Sequence, residues 1–162
     1  MDNNRFWDFS LRHYTNAVVQ GLCLELQETV GANVNLILFS GWLAAERRIF
    51  RPVVVSECEP FQEWRRQVVL PLRQSRCAVK RLQGRSEVYE VLKKAELQVE
   101  RVEQDRLFEL ETRFDRAPLE LSVPQLADEN LRVYLATLPL PPARLAQLSE
   151  QLTCELFLDE PG

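Results

Sequence analysis

An all-α fold is the reading that three features of this sequence support together. The 162 residues include only five glycines, against nine prolines. Leu, Glu, Gln, Arg and Ala are frequent, and these residues favour helix over sheet. Apolar residues recur at three- and four-residue spacing, with capping residues just ahead of most runs. The expected architecture is a single-domain bundle of about six helices over residues 1–162. Its central apolar helix lies near 34–48, and a long helical hairpin covers 57–111.

Each element has its own signal. Phe6, Trp7, Phe9 and Tyr14 predict a short turn or helix pinned to the core. Thr15 or Asn16 can cap the next helix, where Val18, Leu22, Leu26 and Val30 share a face and Gly31 follows the C-terminus. Asn33 opens the segment 34–48, which is apolar nearly all round and so belongs in the middle of a bundle. A buried strand over 34–39 is the rival reading, and the continuation through Trp42, Leu43, Ala44 and Ala45 favours helix. Pro52 and Val53-Val54-Val55 mark a connector.

Ser56 and Glu59 stand at capping-box spacing and predict a helix to about Leu82. Phe61, Trp64, Val68, Leu72, Val79 and Leu82 form its stripe, and Pro71 is expected to kink it. Gly84 marks a turn. Ser86 caps a helix to about Glu111, with Val88, Leu92, Ala95, Val99 and Val102 as its core face. Residues 113–121 connect to a second capping box, Ser122 and Gln125, and a helix to about Ala136. A proline-rich link, 138–142, leads to a final helix over 143–157, and the last few residues are expected to fray.

Charge and cysteine usage narrow the function classes. The formal charge of −4 argues against general binding to nucleic acid or to an anionic membrane. Cys23, Cys58, Cys77 and Cys154 make no C-x-x-C pair and read as reduced, packed thiols. The start Met1-Asp2-Asn3-Asn4-Arg5 has no basic segment followed by an apolar one, so no signal peptide is expected. The most apolar stretch, 34–45, is shorter than the roughly 20 residues a bilayer requires. A cytoplasmic location with no membrane partner is therefore expected.

One anomaly stands out. No acidic residue occurs between Trp64 and Ser86, a stretch that holds Arg65, Arg66, Arg73, Arg76, Lys80, Arg81 and Arg85. The following helix carries Glu87, Glu90, Glu96, Glu100, Glu103, Asp105, Glu109 and Glu111 against four basic residues. Two antiparallel helices pairing their charges explain this, each exposed pair adding about 0–1 kcal/mol. Arginines left unpaired would instead hold an anion. A charged face that docks a partner protein is the third possibility.

Other constellations are weaker. Glu96, Glu100 and Glu103 share a helix face, but a di-iron bundle needs Glu-x-x-His on paired helices, and the single His13 lies far away. No metal and no cofactor are expected. Asp8, Ser10 and His13 are neighbours on one local turn, where a catalytic triad seldom assembles, and Asp8 and Ser10 read better as capping groups. Trp7, Trp42 and Trp64 read as core. Asn35, inside an apolar helix, must find partners if buried, either a neighbouring backbone or Arg65, or it points into a small polar pocket.

Several segments carry a family pattern in order and spacing. They are Phe6-Trp7-Asp8-Phe9-Ser10, Cys23-Leu24-Glu25-Leu26-Gln27 with Gly31, and Val34-Asn35-Leu36-Ile37-Leu38-Phe39 with Trp42. Trp64-Arg65, Val68-Val69, Pro71-Leu72-Arg73 and Lys93-Lys94-Ala95-Glu96-Leu97 with Glu100-Arg101 and Glu103-Gln104 continue it. Over about residues 5–110 the chain resembles a family of short proteobacterial proteins classed as a domain of unknown function. The C-terminal helices, 122–157, lie outside the resemblance. The resemblance implies a bacterial cytosolic origin and no particular activity. It also implies a shared set of polar residues, Asp8, Asn35, Arg65, Arg73, Glu96 and Glu100, which would form one buried network or one polar pocket.

The leading expectation is a non-enzymatic helical protein-interaction or regulatory domain with a protein partner. The alternative is a binder of, or enzyme acting on, a small anion, with Arg65, Arg73 and Arg76 holding it and Glu96 or Glu100 as base or polar partner. RNA or ribosome contact through 65–85 is the weaker alternative, because the net charge disfavours nucleic acid. The oligomeric state follows from none of these features.

Overall fold

Asparagine side chains set where the first three helices begin. Asn4 accepts from the Trp7 amide, Asn16 from those of Val18 and Val19, and Asn33 from that of Asn35. Each fills one of the orphan donors of a helix start. In the computed structural model, which describes residues 3–158, these asparagines open α1 (Arg5–Tyr14), α2 (Ala17–Val30) and α3 (Val34–Ala45). Gly31 ends α2 in the left-handed conformation, with φ of 68°, that glycine adopts without strain.

The rest of the described chain is also helical. A short α4 (Pro52–Ser56) precedes α5, which runs as Glu59–Trp64, passes through a π-helical turn at Arg65–Val69, and continues as Leu70–Gln83. Next come α6 (Glu87–Phe108), a 3-10 turn (Glu111–Arg113), α7 (Val123–Leu135) and α8 (Pro142–Leu156). Among the described residues the one β feature is an isolated bridge between Arg48 and Arg116. The fold is all-helical, with eight helices rather than about six.

Two elements account for the difference. Residues 5–14 form a full helix, and the expected connector at Pro52 folds into one helical turn. Pro52 presets the backbone at the start of that turn, and Val55 is buried, so tertiary packing overrides the β-branched run. The expected capping box at Ser56 does not form. Ser56 instead closes α4 by donating to the Val53 carbonyl, and α5 starts after Cys58 with proline in its first turn. The disruption expected at Pro71 takes the form of the π turn just before it, where the Leu70 amide donates to the Arg65 carbonyl.

α3 ends three residues before the expected boundary. Arg47 turns the chain with a φ of 60°, a conformation costly for a residue with a side chain. Its guanidinium donates to the carbonyls of Leu121 at 2.6 Å and Pro118 at 2.8 Å, which fixes the turn against the connector before α7.

The core forms around α3, where nine of twelve residues are buried. Phe39 meets Phe6, Trp42 and Phe114 at ring-centroid distances of 5.1, 5.7 and 5.6 Å. The most extensive packing partner of α3 is α7. Between them, buried Asn130 accepts from the Phe50 amide and donates to the carbonyls of Ser40 and Arg48. One continuous apolar cluster reaches from Phe6 to Phe157.

Three further expectations need correction. Cys23 is buried, but Cys58 is only half-buried and Cys77 and Cys154 are exposed. Trp42 is core, whereas Trp7 and Trp64 are half-buried platforms under Arg101 and Arg106, at 4.2 and 5.3 Å. Asp8 and Ser10 do not cap α1. Asn4 does, while Asp8 is exposed in the first turn and Ser10 is buried further along. The expected fraying of the last few residues falls mostly on 159–162, outside the described residues.

Candidate functional site

Residues seven apart lie almost in line along a helix. On α6 that line is Tyr89, Glu96 and Glu103, and all three are buried. Glu100, Gln104 and Leu107 flank it, so the inward face of this helix is largely polar. The expected core face is different: Val88 is 54% exposed, and Leu92, Ala95, Val99 and Val102 are half-buried. α6 can bury carboxylates because the opposing elements bring donors to each of them.

Glu103 receives the most. It is fully buried, and its two oxygens accept from Asn33 at 3.0 Å, Asn35 at 2.6 Å and Arg65 at 3.1 Å. Asn35 also donates to the Glu100 carbonyl, and its own oxygen accepts from Gln104 at 2.9 Å. Tyr134 of α7 completes the group by accepting from the Asn33 amide at 2.8 Å. Asn35 therefore reaches a neighbouring backbone, as expected, and meets Arg65 only through their common partner Glu103.

One helical turn further along α6, Arg73 donates to Glu96 at 2.7 Å and to Glu100 at 2.5 Å. Arg76 donates to the other oxygen of Glu96. Burial works against the Arg73 charge, and the two carboxylates more than offset it, so its pKa is raised. Burial also pushes the Glu100 carboxyl upward, with Arg73 pulling the other way. Breaking a buried pair of this kind costs about 3–5 kcal/mol, because it strands the remaining charge.

Five of the seven expected site residues, Asn35, Arg73, Arg76, Glu96 and Glu100, line one cleft of about 640 Å³. Arg65 belongs to the same network at Glu103 but is absent from the cleft lining, and Asp8 is remote and exposed. The cleft separates the arm formed by α5 and α6 from α1 and α2. Trp7, Leu11, Tyr14 and Leu24 line the opposite wall. Ser10 and Gln104 also line it, and each holds a buried polar atom with no partner, the Ser10 hydroxyl and the Gln104 carbonyl oxygen. Burial drives the Tyr14 phenol up to about 12, so it stays protonated at neutral pH.

The expectation of a small anion held by arginine is corrected here. Arg65, Arg73 and Arg76 are each paired with a glutamate of α6, so none is an open anion anchor. The carboxylates are engaged in turn, and no group of three or more metal-ligating side chains occurs among the described residues. The chain's three lysines behave differently. Lys80, Lys93 and Lys94 all line the cleft, all are exposed, and none makes an ion pair among the described residues.

Beyond the cleft the arm is thinly covered. The Leu70–Gln83 segment of α5 has no buried residue. Leu82, Val88 and Val91, near the arm's end, are 75%, 54% and 61% exposed.

Glu103, Asn33, Gln104 and Tyr14 were not among the expected site residues. The available signals were the seven-residue spacing of Glu96 and Glu103 and the pair of asparagines, Asn33 and Asn35, at the entry to an apolar helix.

Residues 5–107 match the family described as "Protein of unknown function (DUF2390)", and the chain belongs to that family. No curated protein and no solved structure matches the chain. The matched residues cover α1 to nearly the end of α6, and hence the whole polar network except Tyr134.

Proposed function

We propose that this family member is a non-enzymatic interaction domain that docks a partner protein through the end of the α5–α6 arm. The observation that carries the reading is the exposure of Leu82, Val88 and Val91 at one end of a hairpin whose base is clamped by buried ion pairs. Apolar residues grouped on an otherwise charged hairpin mark an interaction surface. Val88 and Val91 are one helical turn apart on α6, a spacing that receives the ridge of another helix. Basic Arg81 and Arg85 flank the patch on one side and acidic Glu87 and Glu90 on the other. The partner is accordingly an amphipathic helix with an apolar face and mixed charge at its edges.

A non-catalytic role is favoured because the groups suited to acid–base chemistry are engaged with one another at the cleft. Four free cysteines, two of them exposed, fit a reducing compartment such as the cytoplasm. No described helix is long and apolar enough to cross a membrane. The continuous apolar cluster from Phe6 to Phe157 supports a single domain.

The test uses the full chain carrying Leu82→Glu and Val91→Glu. Both positions are exposed, so the melting temperature should be unchanged. A protein that co-purifies with the wild-type chain should be lost from the variant and should crosslink to Cys77 of the arm in the wild type. Retention of that protein by the variant would reject the arm's end as the docking surface.

A further inference from the structure

The cleft between the arm and α1–α2 is separate from the arm's end, and its lining has a chemistry of its own. Its volume, about 640 Å³, falls in the range of small-molecule pockets. One wall is apolar and aromatic, with Trp7, Leu11, Tyr14 and Leu24. Those side chains remove an apolar body from water. The facing rim carries the three lysines, Lys80, Lys93 and Lys94, on α5 and α6.

The clustering of lysine matters because arginine serves nearly every internal task in this chain. Each of the described salt bridges uses arginine, and those at the cleft are closed onto Glu96 and Glu100. The ion pairs hold the cleft's basic wall in place, while the lysines remain available as mobile, hydrated cations. The unpaired carboxylates in the lining are Glu28 and Glu90, which leaves one net positive charge in a chain of net charge −4. Ser10 and Gln104 add the second kind of evidence. Both are buried, both line the cleft, and each has a polar atom with no partner within the protein. Buried polar atoms normally find one.

We propose that this cleft binds a small organic anion with an apolar body, its acidic head at Lys80, Lys93 and Lys94 and its body against Leu11, Tyr14 and Leu24. The head is a carboxylate or a phosphate monoester, since lysine serves both as a point charge. The fixed pairs of Arg73 and Arg76 form the wall against which the head sits and take no part in holding it. The site stands apart from partner docking at Leu82, Val88 and Val91.

Two dyes test the idea. Anilinonaphthalene sulfonate has an apolar body and an anionic head, and N-phenylnaphthylamine has the same body without the charge. The folded chain should bind both. Changing Lys80, Lys93 and Lys94 together to Gln should weaken the sulfonate by about tenfold and change the neutral dye by less than about twofold. Leu24→Arg, placed across the mouth of the cleft, should weaken both. The three lysines and Leu24 are exposed, so an unchanged melting temperature verifies that each variant is folded. Decanoate or decyl phosphate should displace the sulfonate where decanol does not, and the stronger of the two identifies the head group. Equal sulfonate binding by wild type and lysine variant would overturn the proposal. Loss of binding from the Leu82→Glu, Val91→Glu variant would do so as well, by placing the dye at the arm's end. Displacement by decanol as effective as by the acids would remove the anionic head from the inference.

Discussion

Asn35 and Glu103, 68 residues apart in sequence, are joined by a buried 2.6 Å hydrogen bond. This contact ties the start of the central apolar helix to the acidic helix of the arm. It also brings α3 into the charge pairing between α5 and α6, because Arg65 binds the same carboxylate.

Removing that carboxylate should destabilise the protein strongly. Glu103→Ala leaves Arg65, Asn33 and Asn35 facing a cavity, and urea unfolding is expected to show a loss of about 3–5 kcal/mol. Glu103→Gln keeps an acceptor and should cost less. A loss below about 1 kcal/mol for the alanine variant would show that water enters and replaces the network.

The family-matched region should not fold without the C-terminal helices. α7 covers more of α3 than any other element does, and Asn130 satisfies three backbone groups around it. A chain ending at residue 110 is expected to lose cooperative unfolding by calorimetry. In the full chain, Asn130→Ala should cost about 2–4 kcal/mol, since buried backbone groups lose their partner. A cooperative melt from the shortened chain would contradict this assignment.

Alkaline pH should weaken the fold through two buried groups. Burial raises the Cys23 thiol from 9.0 to about 12 and the Tyr14 phenol from 10.0 to about 12. Between those values the unfolded chain has released protons that the folded chain still holds. Stability contributed by these groups is therefore complete below pH 9 and is lost as pH rises toward 12. Tyr14→Phe should flatten the decline above pH 10 while leaving urea unfolding at pH 7 little changed. An identical alkaline slope in the variant would remove Tyr14 from the account.

Thiol reactivity should divide the cysteines by position. Exposed Cys77 and Cys154 are expected to react rapidly with an aromatic disulfide reagent in the native protein, and half-buried Cys58 more slowly. Cys23 should react only on unfolding. Fast reaction of all four under native conditions would mean that α2 opens readily.

Local chemistry was legible and long-range compensation was not. Asn16, Gly31, Asn33, Ser86 and Ser122 each mark a helix end in the sequence, and each does so in the structure. Ser56 failed because the same spacing also suits a residue closing the previous turn, and Pro60 fixed where α5 begins. Val88 was read as core from periodicity alone, which cannot show that the same helix buries Glu96 and Glu103 instead. That exchange depends on Arg65, Arg73, Asn33 and Asn35, which come from elements distant in sequence. Asp8 was grouped with the polar cluster through the family pattern, but α1 turns it to solvent.

The π-helical turn at Arg65–Val69 has a consequence for how this chain tolerates change in length. Beyond it lie Arg73, Arg76 and Lys80, and before it Trp64 donates from its indole to the Val99 carbonyl. Each residue advances an α-helix by about 100°. Deleting one residue from 66–68 would keep every side chain that matters, yet rotate the outer arm so that Arg73 and Arg76 leave Glu96 and Lys80 leaves the cleft. The turn thus acts as a phase setting, and the chain is more vulnerable there to a lost codon than to most single replacements.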